Sequence, residues 1–370
     1  MRLRPFSLFL AAALFFGLSS SACSALQRPK AVSSPQTSAA RGGETHFTPT
    51  PDDSSPKLNR GRLHSDFEWG ENVYKKGDYR RSVAYLSAAV KKDQGNAKLW
   101  RNLGSAYAMG DDFDNAILCF ERALKRDPKD TKSLYNLSLV NGWKGSLNDA
   151  ESAAKKGLEL KPDHAGLHSS LGNIYADQNK EDAALVEYDT ALKLNPKDAI
   201  THFNKGGLLF KRRALRLAEE EYTEVLRLTP KDVEAAQNLA AVYILQDRLA
   251  DAEKLNRWVV KQKPKDEDTL ENAYFNLGII YDRQNKLEQA LNMYKLALQV
   301  APWDAAAYVN TAVILERLKR RNEALTYWEK YHRLFPASRR ANEIDKRIQI
   351  LRKMVELEKE KHSKGKKKHK

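Results

Sequence analysis

Cysteine is nearly absent from this 370-residue chain, with Cys23 and Cys119 the only two. Two cysteines cannot make a disulfide framework, so the fold has to be held by packing. Also missing are Cys-x-x-Cys, His-Glu-x-x-His, Gly-x-Ser-x-Gly and a phosphate-cradling glycine loop. Those spacings carry thiol, zinc, serine-nucleophile and nucleotide chemistry, so no enzyme, metal or cofactor is expected. His164, His168 and His202 come nearest to a ligand set, but residues so placed serve more often as packing filler than as metal ligands. Cys119 stands mid-helix among apolar residues and reads as inert core. Long apolar runs are scarce as well. Phe6–Leu18 is one, too short for an ordinary membrane-spanning helix, and no other stretch approaches 18 apolar residues.

That short run follows Arg2 and Arg4 and precedes the small residues Ser19–Ala22. The order of charge, apolar run and small residues predicts a signal peptide over 1–22 and an exported protein of the bacterial periplasm or cell envelope. Ser20-Ser21-Ala22-Cys23 resembles a bacterial lipobox, which would make Cys23 a lipidation site, although Ser20 stands where that pattern prefers Leu. Plain cleavage after Ala22 or Ala25 is the alternative. Residues 23–62 are rich in Ser, Pro, Thr, Gly and Arg without apolar period, as in a disordered tether. The net charge is +15, and Lys361, Lys364, Lys366, Lys367, Lys368 and Lys370 supply six of those charges. Such a tail, 361–370, reads as solvated and disordered, or as a contact for anionic lipid or envelope polymer. An export signal and the lack of a recognition module argue against nucleic acid as a partner.

From Leu63 onward a period takes over. Pro128, Pro162, Pro196, Pro230 and Pro264 are 34 residues apart; Pro302 follows 38 later and Pro336 another 34 later. Trp100, Leu103, Gly104, Tyr107, Ala116, Phe120, Ala123 and Pro128 give the pattern in full. It resembles the tetratricopeptide repeat family, whose unit is a 34-residue helical hairpin. The resemblance implies an all-α, right-handed superhelical solenoid of about eight hairpins over 63–338. Place 1 of the repeats falls at Leu63, Ala97, Thr131, Ala165, Ala199, Val233, Glu271 and Ala305. Small residues recur at place 8 (Gly70, Gly104, Ser138, Gly172, Gly206, Ala240, Gly278, Ala312), where two helices must cross closely. Asp130, Asp198, Asp232, Asp266 and Asp304 follow the prolines as expected N-caps. Repeat five, with Lys205 and Leu209 in packing places, should pack less well. Four residues inserted around Glu267–Leu270 should lengthen a turn or the next helix. Ile344, Ile348, Leu351 and Val355 mark one face of a capping helix over 339–360.

In the family resembled, the first helices line a concave groove. Place 6 on them is Asn102, Asn136, Asn204, Asn238, Asn276 and Asn310 in six of eight repeats. A carboxamide both donates and accepts, so such a row suits the backbone of an extended peptide. Place 5 adds Tyr135, Phe203 and Phe275, which either form pockets for ligand side chains or pack between hairpins. The carboxylate clamp of chaperone-tail repeats is missing: Arg101, Ser105, Asn136, Gly166 and Ser170 do not supply it. The expected function is a non-enzymatic scaffold holding a partner protein or peptide for an envelope assembly. The alternative is a tether whose basic tail holds envelope polymer or anionic lipid.

Overall fold

The computed structural model describes residues 60–336, 338 and 341–367. The signal-peptide reading, most of the tether and Cys23 lie outside them. Seventeen helices and no strand occur among the described residues. In chain order they form eight consecutive pairs followed by one last helix. The pairs are α1 (Arg60–Lys75) with α2 (Tyr79–Lys92), α3 (Ala97–Met109) with α4 (Phe113–Arg126), α5 (Thr131–Lys144) with α6 (Leu147–Leu160), and α7 (Ala165–Asp177) with α8 (Glu181–Leu194). Then come α9 (Ala199–Lys211) and α10 (Leu215–Leu228), α11 (Val233–Leu245) and α12 (Leu249–Gln262), α13 (Glu267–Arg283) and α14 (Leu287–Val300), and α15 (Ala305–Arg317) and α16 (Arg321–Leu334). The last helix is α17 (Ala341–Lys367). The expected all-α hairpin array with a terminal helix is therefore what the chain forms.

The chain divides into two compact units, one ending at Leu208 and the other starting at Leu209. In the first, each hairpin closes on itself and its second helix packs on the next first helix; α1 touches α3, α3 touches α5 and α5 touches α7. In the second, the same scheme runs from α10 to α16, with α11 against α13, and α17 lies on α16. Ile344, Ile348 and Leu351 bury themselves against Val309, Ala312, Trp328 and Tyr331, as the capping expectation required.

Every hairpin turns through the same backbone device. Gly77, Asp111, Gly145, Asn179, Arg213, Asp247, Asn285 and Lys319 all take positive φ. The amide after each donates to the carbonyl five residues earlier, as in Asp112 to Tyr107 and Lys180 to Tyr175. This closes the first helix and reverses the chain in a few residues.

Where helices cross, the small residue at place 8 faces place 24 of its partner helix. A Cβ added to Gly104 would lie 2.8 Å from Phe120, one on Gly172 2.6 Å from Tyr188, and one on Gly278 2.5 Å from Tyr294. Phe120, Tyr188 and Tyr294 are in turn fully enclosed. Glycine is thus what lets these rings fill the crossing.

The four inserted residues lengthen a helix. α13 has 17 residues where the other first helices from α3 on have 13 or 14. Asp266 caps it, accepting from Thr269 N at 2.9 Å, and Gln237 Nε2 donates to Thr269 O at 2.6 Å. The added turn is therefore packed on α11. At the other end, α17 runs seven residues past the boundary expected at 360, so residues 361–367 are helical where the sequence suggests a disordered tail; four of the seven are Lys and no proline intervenes.

Candidate peptide-binding face

The row of carboxamides stands on first helices of both units, interrupted by Ser170 on α7, and all six are buried. Their amide groups reach back toward the preceding hairpin. Asn102 Nδ2 donates to Glu71 Oε1 at 3.3 Å, Asn136 Nδ2 to Ser105 Oγ at 3.3 Å, and Asn204 Nδ2 to Asn173 Oδ1 at 2.9 Å. In each case the acceptor is place 9 of the repeat before. Asn173 Oδ1 also accepts from the Tyr188 hydroxyl at 2.7 Å, so place 24 joins the same knot.

In the second unit place 9 is apolar, and the pattern shifts. Asn276 Nδ2 turns to Asn256 Oδ1, at place 24 of the preceding hairpin, at 3.5 Å. Asn238 faces the buried Tyr222 phenol, whose pKa burial raises and Asn238 pulls back down. Asn310 follows a repeat with Ile279 at place 9, which offers no acceptor. Its Nδ2 is buried without a hydrogen bond, near the Tyr294 phenol, whose pKa burial raises well above its ordinary value while Asn310 lowers it. The row is thus part of the mortar between hairpins. Sequence reasoning found the asparagines and missed their acceptors, which lie 20 or 31 residues away. The matched recurrence of polar residues at places 9 and 24 was the available signal.

The aromatics at place 5 differ among themselves. Phe275 is buried, edge-on to Tyr294 with ring centres 5.5 Å apart, so it packs. Tyr135 is half-buried, 5.4 Å from the His164 ring and close to Gly166 at the start of α7. Phe203 is half-buried. Leu139 and Trp143 are half-buried and pack on the cluster around Phe120 and Val140, the Trp143 ring 6.0 Å from that of Phe113, and Asn173 is half-buried as well. In the first unit the first helices therefore keep partly exposed apolar side chains alongside the buried carboxamides.

Charge on the row is confined. Arg101 Nη1 meets Asp130 Oδ2 at 2.6 Å with both side chains about 8% exposed, and Ser133 Oγ donates to the same oxygen at 2.7 Å. This pair was not foreseen, and it corrects the expected cap: Asp130 makes no side-chain cap bond because its carboxylate is already engaged. Asp198, Asp232, Asp266 and Asp304 do accept from helix amides. The histidines are separately engaged. His164 accepts from Leu167 N, His168 pairs with Glu187 at 2.6 Å, and His168 and His202 each donate through Nε2 to a proline carbonyl, Pro162 and Pro196. No group of three His, Cys, Asp or Glu poised for a metal occurs among the described residues. Nor is any described helix long and apolar enough to cross a membrane. Cys119 is buried, its thiol pushed up to about 12 by burial.

Comparison with known proteins follows the same register. The tetratricopeptide repeat matches residues 67–140, 203–267, 271–304 and 306–338, and a further repeat of the same type matches 172–212. The human PEX5-related protein is 30% identical over 104 residues, 28% of this chain and 17% of that protein. The human Superkiller complex protein 3 is 26% identical over 114 residues, 31% of this chain and 7% of its own length. The chain thus spans less than a fifth of these two relatives. Among solved structures, the Cut9–Hcn1 hetero-tetramer of the APC/C overlays 79% of this chain and 57% of its own, at TM-score 0.54 and 15% identity. PilF of Pseudomonas aeruginosa overlays 60% of this chain and all of its own, at TM-score 0.50 and 20% identity. With hairpins, crossings, turns and repeat matches in one register, the chain belongs to the tetratricopeptide repeat family, whose members generally mediate protein–protein interactions.

Proposed function

We propose that this chain is a non-enzymatic scaffold that holds an extended segment of a partner protein along the first-helix face of its hairpins. The observation that carries this reading is that Tyr135, Leu139, Trp143, Asn173 and Phe203 are half-buried on the first helices that also bear the carboxamide row, or next to them, in the first unit. Apolar side chains of the partner pack on the rings and Leu139. Its backbone meets the carboxamide oxygens, whose amide ends are spent on the neighbouring hairpin. First helices about 8–10 Å apart meet an extended strand about every third residue, at roughly 3.3 Å each. The segment is therefore read by its backbone and by spaced apolar anchors.

Export to the bacterial envelope, with lipid at Cys23 and a role in an envelope assembly, completes the reading; it rests on residues 1–23. Metabolic labelling with a fatty acid analogue should mark the wild-type chain and not Cys23→Ala. For the groove, crosslinking and affinity capture from the native envelope compares wild type with Tyr135→Ala/Phe203→Ala and with Asn204→Ala/Asn238→Ala/Asn276→Ala. Partner recovery should fall by about ten-fold or more, as expected when roughly 1.4 kcal/mol of contact is lost. Unchanged recovery by variants that keep wild-type helicity would sink the groove reading.

A further inference from the structure

The terminal helix α17 carries two apolar faces. One, built from Ile344, Ile348, Leu351 and Val355, is buried on the last hairpin. The other consists of Ile350, Met354 and Leu357, which are 55%, 44% and 56% exposed. Their spacing of four and three residues sets them in one line along the helix. At about 100° per residue, Lys346 and Lys353 fall in the same sector, an arc of roughly 100°. Both lysines are exposed.

Three acidic groups on or beside α17 are drawn elsewhere, while Glu356 and Glu360 are exposed outside the arc of the stripe. Glu358 pairs with Arg321 of α16, Asp345 with His332 at 2.8 Å, and Glu329 holds Arg352 at 2.7 Å. Glu343, at the start of the helix, is the acid that shares the exposed sector. Along its length α17 has nine Lys and Arg against five Asp and Glu. Four of those lysines fall within 361–367, and Lys368 and Lys370 follow in the sequence.

A narrow apolar line flanked by cations limits what can cover it. A second copy of this helix would bring the same lysines against themselves, and like charges facing across an interface repel. Three side chains also expose far less than the roughly 800 Å² per partner that a stable dimer buries. A surface with an apolar interior and a dense layer of phosphates meets both demands: the side chains enter the boundary between headgroups and acyl chains while the lysines stay at the phosphates. We propose that the outer face of α17 is a reversible docking surface for anionic phospholipid membranes, with Ile350, Met354 and Leu357 inserted and Lys346 and Lys353 held at the headgroups. This surface is independent of the first-helix row, so either can fail without the other.

Vesicle flotation tests it, using the chain from Ser24 onward, which keeps every described residue and removes the apolar N-terminal run. Vesicles of phosphatidylglycerol mixed with phosphatidylcholine should carry the protein at low salt and release it at high salt. Pure phosphatidylcholine should carry little. Ile350→Gln/Met354→Gln/Leu357→Gln should lower the partition coefficient by about ten-fold or more, with circular dichroism and Tm unchanged. Lys346→Glu/Lys353→Glu should lower it several-fold, and deletion of 361–370 should weaken binding without abolishing it. Equal partition of the triple variant and wild type would overturn the proposal, as would equal binding to neutral vesicles. It would also be overturned by a dimer in sedimentation that the triple variant dissolves while vesicles capture nothing.

Discussion

Gly278 and Gly142 both lie inside first helices, yet they answer opposite needs. A methyl group on Gly278 would press within 2.5 Å of the Tyr294 ring, which is fully enclosed and cannot retreat, whereas one on Gly142 meets nothing within 4 Å. Gly278→Ala should therefore cost about 1–3 kcal/mol by overpacking. Gly142→Ala should be neutral or stabilise by up to about 1 kcal/mol, because alanine loses less backbone entropy in a helix. Calorimetric melting of both variants decides this, and equal shifts would refute the crossing described above. At this scale the sequence was half legible. The small residues at place 8 and the asparagines at place 6 stand out by their spacing alone. Which groups the asparagines bond does not, because Glu71, Ser105 and Asn173 come near only after hairpins stack. The Arg101–Asp130 pair was hidden for the same reason: each residue has an ordinary local role available, a solvated charge or a helix cap.

Among the elements, the hairpin turn offers the sharpest contrast between residue type and backbone. Six of the turns use Gly, Asn or Asp in the left-handed region, which these residues tolerate, but Arg213 and Lys319 occupy it too, at φ 60° and 61°. A side chain there costs roughly 1–2 kcal/mol, against about 0.5–1 kcal/mol of extra chain entropy for glycine. Lys319→Gly should thus stabilise the second unit by up to about 1 kcal/mol, seen as a higher urea midpoint with an unchanged slope. Gly145→Ala, at φ 86°, should lower the midpoint of the first unit. Helix number and order were readable from the 34-residue period, since proline stops, small crossings and turns repeat in phase. The site of the insertion was readable, but its conformation was not. Turn and helix were both open until Asp266 was seen to cap the helix and Gln237 to anchor its first turn.

For the molecule as a whole, stability in such an array adds up from each hairpin and its neighbours, so groups buried in many hairpins act together. Burial raises the Cys119 thiol and the phenols of Tyr74, Tyr188, Tyr222 and Tyr294 above their ordinary values. In the unfolded chain a thiol loses its proton near pH 8.5 and a phenol near pH 10. Above those values the unfolded chain releases protons that the folded chain retains, so stability must fall as pH rises. The urea midpoint should be insensitive to these groups between pH 6 and about 8 and should decline from about pH 9 upward, most steeply beyond 10. A midpoint that holds or climbs between pH 8 and 11 would contradict this account of the buried hydroxyls. Composition and period disclosed the fold class of the whole chain, while the outer stripe of α17 escaped notice. The apolar period there reads as a single capping face until exposure separates Ile350, Met354 and Leu357 from their buried neighbours.

Near-identical modules in series carry an ambiguity: a ligand of repetitive sequence can sit one module forward or back at almost the same energy. For a partner held as proposed above, the extra turn of α13 would remove that degeneracy in its unit, because four added residues extend this one helix by about 6 Å and no other hairpin there presents the same step. It would serve as a zero mark on a ruler, from which the position of a bound segment is counted.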